Sequence, residues 1–429
     1  MAVPVRWPTG RCRRLVAGAA ALLFAGTAGG AELTVVPGGS IDAALRAARP
    51  GDVVVVERGD YLEHLVIDRP LTLRGQGRPT LSAGGRGDVI RIRAAGVTIE
   101  GLIIRDSGSD LTAQNAGIYV EPGAHRVVIR YNDLAHNLFG AWVEGVHDPV
   151  LEGNLITGLR ELPSAQRGNG IQLYNTRRAR VLDNHISFAR DGIYVDVSHE
   201  AVFRGNRLHH LRYGTHYMNS NGNLWEHNRA WRNRGGLALM EVRNQVVRDN
   251  FAWGNRDHGI MLRTIQDSVI ENNVVAGNGR GFFVYDAEYN TLRGNLVAGN
   301  DIGVHLSAGS YHNQVDRNDF IGNRQQIHYV AARDEPWGRE GGNFWSNYAG
   351  WDRDGDGLGD LPYAANDLVD RLIWRQPTVK VLLGSPALQT LQAVARQFPV
   401  LRPTSIVDEK PRMRPWRADW AEWLGDGGD

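Results

Sequence analysis

From Ala116 onward, apolar and polar positions alternate in short runs instead of following the threes and fours of a helix, and the runs recur. Each begins at a glycine and reads G-Φ-x-Φ-x, where Φ is apolar; about eleven residues later comes x-N-Φ, then a second Gly-Asn or Gly-Arg turn. The opening glycines are Gly117, Gly140, Gly170, Gly192, Gly214, Gly236, Gly259, Gly281 and Gly303, spaced 23, 30, 22, 22, 22, 23, 22 and 22 apart. The single 30 carries an inserted RELPSAQRG. A second register keeps almost the same intervals through Asn132, Asn154, Asn184, Asn206, Asn228, Asn250, Asn273, Asn295 and Asn318. This period predicts an all-β fold, a right-handed parallel β-helix with one coil of about 22 residues per repeat. Glycine and asparagine are expected at the corners because both tolerate left-handed backbone angles, and stacked asparagines can bond to one another between coils.

The start reads as the cap that a solenoid requires. Ser40 is placed as a helix N-cap, Ile41, Ala44, Leu45 and Ala48 fall on one face, and Pro50-Gly51 ends the helix before the strand VVVVE. Coils are expected from near Asp52 to about Asn343. Ahead of the cap, residues 1–31 read as an export signal: Arg6, Arg11, Arg13 and Arg14 precede a short small-residue apolar run, with a cleavage position before Glu32. Export removes Cys12, the only cysteine, and with it any disulfide or thiolate metal site. The expected domains are therefore 1–31 signal, 32–343 β-helix with cap, and 344–429 a C-terminal extension.

Charge changes this picture little. Lys+Arg 48 against Asp+Glu 47 leaves a formal charge of +1 and gives no footprint for nucleic acid.

The candidate chemistry follows from the strand phase. The first and third positions after each glycine are apolar (Ile193 and Val195, Leu237 and Leu239, Ile260 and Leu262), so they face inward and the second and fourth face out. The outer second positions are Tyr119, Trp142, Gln172, Tyr194, His216, Ala238, Met261, Phe283 and His305; the outer fourth positions are Glu121, Glu144, Tyr174, Asp196, Met218, Met240, Arg263, Tyr285 and Ser307. Three of the five methionines thus lie on one outer face within GTHYMNS, GLALMEV and GIMLRTI. His216, Met218, Met240 and Met261 are expected to converge there around the small Ala238, a donor set suited to Cu(I). The alternative is that the methionines pack under a loop or a partner. His258 and His305 read as structural.

Two further features were weighed. Glu121, Glu144, Tyr174 and Asp196 form an acidic column with Tyr119 and Trp142 beside it, as a carbohydrate-active epimerase or lyase would need, with His147 and His199 as weaker candidates near carboxylates. WDRDGDGLGDLPY places Asp352, Asp354, Asp356 and Asp360 at alternating positions among glycines and resembles the Ca2+ loops of EF-hands and thrombospondin-type repeats, although Tyr363 stands where the last acidic ligand would be. Beyond it, Leu388, Leu391, Val394 and Phe398 predict an amphipathic helix. Trp416, Trp420 and Trp423 form a stripe for docking on a partner or packing back on the solenoid.

The line YGTHYMNSNGN, the segment GNFWSNYAGWDRDGDGLGDLPY and the tail VKVLLGSPALQTLQAVARQFPVLRPTSIVDEKPRM together resemble the NosD family, periplasmic maturation proteins of nitrous oxide reductase. The resemblance covers nearly the whole mature chain, and its specificity lies in the C-terminal segments. It implies a periplasmic protein that is not an enzyme, that receives Cu(I) from a lipoprotein copper chaperone, and that works with the permease and ATPase of an ABC transporter in assembling the reductase's copper centre. Contact with the membrane would come only through the permease.

Overall fold

In the computed structural model, residues 30–307, 309–329, 335–365, 372, 376–382, 385–397 and 405–423 are described. They form a right-handed parallel β-solenoid whose three sheets run its whole length. Sheet 1 has 13 strands from Glu32–Val35 to Gln314–Asp316, sheet 2 has 12 from Leu65–Ile67 to Gln325–Tyr329, and sheet 3 has 13 from Asp60–Leu62 to Phe344–Trp345. The alternating G-Φ-x-Φ-x lines are the strands of sheet 2. Their apolar positions, including Ile193, Val195, Leu237, Leu239, Ile260 and Leu262, are fully buried in one continuous core that fills the cylinder.

The cap is as expected. Its helix is Ile41–Ala47, with the Ser40 hydroxyl accepting from Ala43 N at 3.1 Å and with Ile41 and Leu45 buried. The solenoid, however, begins before this helix, because Glu32–Val35 pairs in parallel with Val53–Val56. ELTV is one short strand with no opening glycine, so the repeat pattern did not reach it.

The asparagine series is a continuous buried ladder. Each side-chain oxygen accepts from the amide nitrogen and the side-chain amide of the ladder residue one coil earlier, as when Asn250 Oδ1 accepts from Asn228 N and Nδ2 at 3.0 Å each. Each Nδ2 also donates across the corner, Asn228 to Phe203 O at 2.9 Å. The left-handed residue is not the asparagine but its predecessor, filled by Tyr131 (φ 55), Asp183 (φ 52) or Gly205 (φ 69). The asparagines are there for their amides. Nor do the line-opening glycines adopt left-handed angles: a Cβ on Gly140 would stand 2.5 Å from Gly170 O and 2.6 Å from Ile156 Cγ2, so close approach of successive coils is what demands glycine.

The ladder ends in the C-terminal extension. Asn343 N and Nδ2 each donate to Asp408 Oδ2 at 2.9 Å, and Trp345 Nε1 donates to the same oxygen at 3.0 Å. Asp408 is fully buried in a strand, Ile406–Asp408, that belongs to a separate 3-stranded sheet closing the top of the solenoid. The amphipathic helix spans Pro386–Gln397 with Leu388 buried, while Phe398 lies outside the described residues, as does most of the export signal. The tryptophan stripe packs back on its own solenoid: Trp420 and Trp423, in a 3-10 turn, cover an apolar patch of sheet 3 formed by Val274, Ala276, Leu296, Ala298 and Ile321.

Asn228→Ala removes the partner of the buried Asn206 N and of Phe203 O together. Leaving two buried backbone groups unpaired is expected to cost about 3 kcal/mol or more, read as a lower urea midpoint at unchanged m-value.

Candidate functional site

The pairing register of sheet 2 places every predicted outer residue. Tyr194, His216, Ala238, Met261, Phe283 and His305 are successive neighbours in one column, and Asp196, Met218, Met240, Arg263 and Tyr285 in the next. Neighbours in a column are about 4.8 Å apart. Met218 and Met240 are therefore adjacent, His216 precedes Met218 on its strand, and Met261 lies one coil beyond Ala238. All four donor residues are half-buried, held by the sheet but reachable from outside.

A third column completes the site. Asp191, Tyr213, Gly235 and His258 are register partners at the position just before the opening glycine. Strict alternation would turn this position inward. Instead the glycine faces the core, where a Cβ on Gly214 would meet Ala230 Cβ at 3.1 Å, and the chain bends so that the residue before it joins the outer face. The coil at 235–240 consequently has a bare glycine and a methyl group where its neighbours carry large side chains. Tyr213 and His216 on one coil and His258 and Met261 on the other close over these two small residues, with Met218 and Met240 in the adjoining column.

His258, which the sequence reads as structural, stands in this third column two coils beyond Tyr213. Its imidazole lies over Gly235, where a Cβ would be 2.5 Å from Nε2. The residue is 3% exposed, and Nε2 is buried without a hydrogen-bond partner. Burial lowers its pKa from 6.5 to about 4, so the ring is neutral at physiological pH. The signal in the sequence was the bare GG of GGLALM one coil earlier, which makes room for the ring.

His216 is oriented from behind. Its Nδ1 lies 3.1 Å from Oδ2 of Asp191, a fully buried carboxylate that Arg212 grips through Nε at 2.8 Å and Nη2 at 2.5 Å. Burial pushes the Asp191 carboxyl up, but hydrogen bonds from Arg212 and His216 outweigh it and hold the group below the usual carboxylate range. In the Nδ1–H tautomer the ring donates to Asp191 and leaves Nε2 as a lone-pair donor, the arrangement by which a carboxylate fixes a ligating histidine. Tyr194 OH donates to Met218 Sδ at 4.0 Å, which steadies that thioether.

The acidic column is committed to the fold. Glu144 accepts from Tyr119 OH and Trp142 Nε1 at 3.1 Å each, and Glu121 accepts from Arg91 at 3.0 Å and Arg93 at 3.1 Å. Tyr119 and Trp142 are buried with Leu138 and Phe139, with Leu159, just before the insertion, packed on them, so they offer no open platform to a sugar ring. Asp196 accepts from Asn219, and Tyr174 is exposed beside it. His147 and His199 sit in a corner on either side of Arg177.

In the acidic loop, single oxygens of Asp352, Asp354 and Asp356 lie within 4.8 Å of one another, whereas Asp360 is not in the group and accepts from Arg353 N at 2.8 Å. Asp352 already receives Gly355 N and Gly357 N, and these backbone bonds lower its pKa.

The fold is a parallel β-solenoid that gathers methionine and histidine side chains on one outer sheet face. The chain belongs to the NosD family. Residues 159–350 match the family model described as "Periplasmic copper-binding protein (NosD)", a span that holds His216, Met218, Met240, His258 and Met261. A "Probable ABC transporter binding protein NosD" of Pseudomonas aeruginosa is 41% identical over 371 residues, 83% of this chain and 87% of that protein. One of the same name from Stutzerimonas stutzeri is 37% identical over 408 residues, 83% and 85%. Among solved structures, Dettilon tailspike protein shares the fold with a TM-score of 0.55 at 15% identity, over 66% of this chain and 62% of that one.

The buried neutral His258 sets a pH dependence. Between about 6.5 and about 4 the unfolded imidazole binds a proton that the folded one refuses, so stability falls as pH drops through that window, by about 3 kcal/mol at its lower end. His258→Gln is expected to remove that share of the slope of urea midpoint against pH, leaving the same-signed shares of His209 and His305.

Proposed function

We propose that the protein is a periplasmic carrier that holds Cu(I) on the outer face of sheet 2 and passes it on with an ABC transporter during maturation of the nitrous oxide reductase copper centre. The observation that carries this reading is the set of three thioethers and two imidazoles that the sheet register gathers around the small residues Gly235 and Ala238. Thioether and imidazole donors favour Cu(I) over the harder divalent ions. Met218, Met240 and Met261 supply sulfur, His216 supplies nitrogen oriented by Asp191, and His258 supplies the buried inner nitrogen.

Half-buried ligands on an open sheet let a partner's donors enter before these leave, so cargo moves by stepwise substitution without release of a free ion. A lipoprotein copper chaperone would load the site from outside. The transporter's permease and ATPase would govern delivery to the reductase. The family model's printed description and the relatives' names support the copper, periplasmic and transporter parts of this reading. The engaged carboxylates of the acidic column favour a binding role over a sugar-modifying one.

The test is anaerobic Cu(I) titration of the mature protein against a competing chelator. Wild type is expected to bind one equivalent, with affinity reduced about 100-fold or more by Met218→Ala with Met240→Ala and at least 10-fold by His258→Gln. Weak wild-type binding, or binding indifferent to the methionine pair, would return the thioethers to packing.

A further inference from the structure

The insertion that breaks the 22-residue period builds a second site beside the first. Its backbone is tied to the turn between sheets 3 and 2 by Arg190 N donating to Gly168 O at 2.8 Å. Between loop and turn lies a cavity of about 380 Å³ lined by Ser164, Arg167, Arg190, His210, Arg212 and Arg234 among others, with no carboxylate in its wall. Arg190, Arg212 and Arg234 come from three successive coils, so their backbones are stacked about 4.8 Å apart.

The charges in this wall do not cancel. Arg212 is neutralised by Asp191, and Arg234 Nε donates to Asp257 at 2.6 Å. Arg167 spends its donors on the carbonyls of Leu162 and Arg160 at 2.8 Å each, which hold the side chain without offsetting its charge. Arg190 is half-buried and has no carboxylate within ion-pair distance among the described residues. Two uncompensated guanidiniums, a hydroxyl and an imidazole therefore face one small volume. Like charges held together by a fold are unfavourable unless something of opposite sign joins them, and the guanidinium fork matches oxyanions in geometry.

We propose that this cavity binds a tetrahedral, multiply charged oxyanion of the sulfate or phosphate class. Arg190 supplies charge and a forked donor pair, Arg167 supplies charge and its remaining Nη1 donor, and Ser164 and His210 supply single hydrogen bonds.

A consequence follows for the metal face, and it rests on the copper reading above. Arg212 serves both sites: it lines the cavity, holds Asp191, and places Nη2 3.0 Å from His216 Nδ1. An anion in the cavity adds negative charge just behind the metal column. Cu(I) and oxyanion then tighten each other several-fold, equally in both directions as linkage requires.

The first experiment needs no copper. Mature wild-type protein and Arg167→Gln with Arg190→Gln are titrated calorimetrically with sodium sulfate, sodium phosphate and, separately, sodium acetate, at fixed ionic strength set with perchlorate. One saturable site for sulfate or phosphate, at least tenfold weaker in the double variant at unchanged urea midpoint, is the expected result. Arg190→Lys, which keeps the charge and loses the fork, should fall between the two. Absence of saturable binding, equal binding in the variants, or acetate binding as tightly as sulfate overturns the proposal, the last by making this a carboxylate-docking surface. The second arm compares Cu(I) affinity with and without sulfate: sulfate should tighten copper in wild type only, while copper affinity without sulfate is the same in both proteins. If wild type binds no copper, the copper reading fails and the anion site stands on the first arm.

Discussion

The buried asparagine ladder is the constraint on which the other features depend. A parallel coil could slide along its neighbour by a residue or more at small cost in apolar burial, because the inward positions are nearly interchangeable Val, Ile and Leu. The amide side chains remove that freedom. Each asparagine satisfies a backbone amide, a carbonyl across the corner and the next asparagine, so a slip strands several buried polar groups in every coil at once. The ladder runs without a break from Asn132 to Asn343 and is closed by Asp408, which takes three donors in one buried carboxylate and thereby joins the C-terminal extension to the register of the solenoid.

A fixed register turns sequence spacing into spatial adjacency. Met218 and Met240 are 22 residues apart in the chain and nearest neighbours on the sheet because the ladder allows no other alignment. The same register holds Tyr213 and His216 on one side of Gly235 and Ala238 and His258 and Met261 on the other.

Periodicity made most of this architecture legible: the coil length, the inward and outward phase, and the exact columns holding His216, Met218, Met240 and Met261 could all be read from the glycine and asparagine spacing. What it could not show lay where the alternation fails. The bend at each opening glycine brings Asp191, Tyr213 and His258 onto the outer face, and a strict two-residue period assigns them inward. His258 and the Asp191–Arg212 pair were missed for that reason. The first strand, Glu32–Val35, lacks the glycine that marks the others. The tryptophans of the tail could not be assigned to partner or solenoid because the apolar patch they cover, Val274 to Ile321, is assembled from three coils and is not contiguous in sequence.

The two halves of this outer sheet face differ in chemistry. Toward the N-terminal coils the outer carboxylates accept from arginine, tyrosine and tryptophan donors, and the aromatic rings are buried in a small apolar cluster with Leu138 and Phe139. In the central coils the donors are the opposite: thioethers that hold no proton to lose, and an imidazole at His258 kept neutral by burial. A soft cation can enter that set without displacing a proton or breaking an internal ion pair, and it can leave at the same small cost. Low reorganisation in both directions is what the proposed carrier role asks of this face, and thioether side chains meet it.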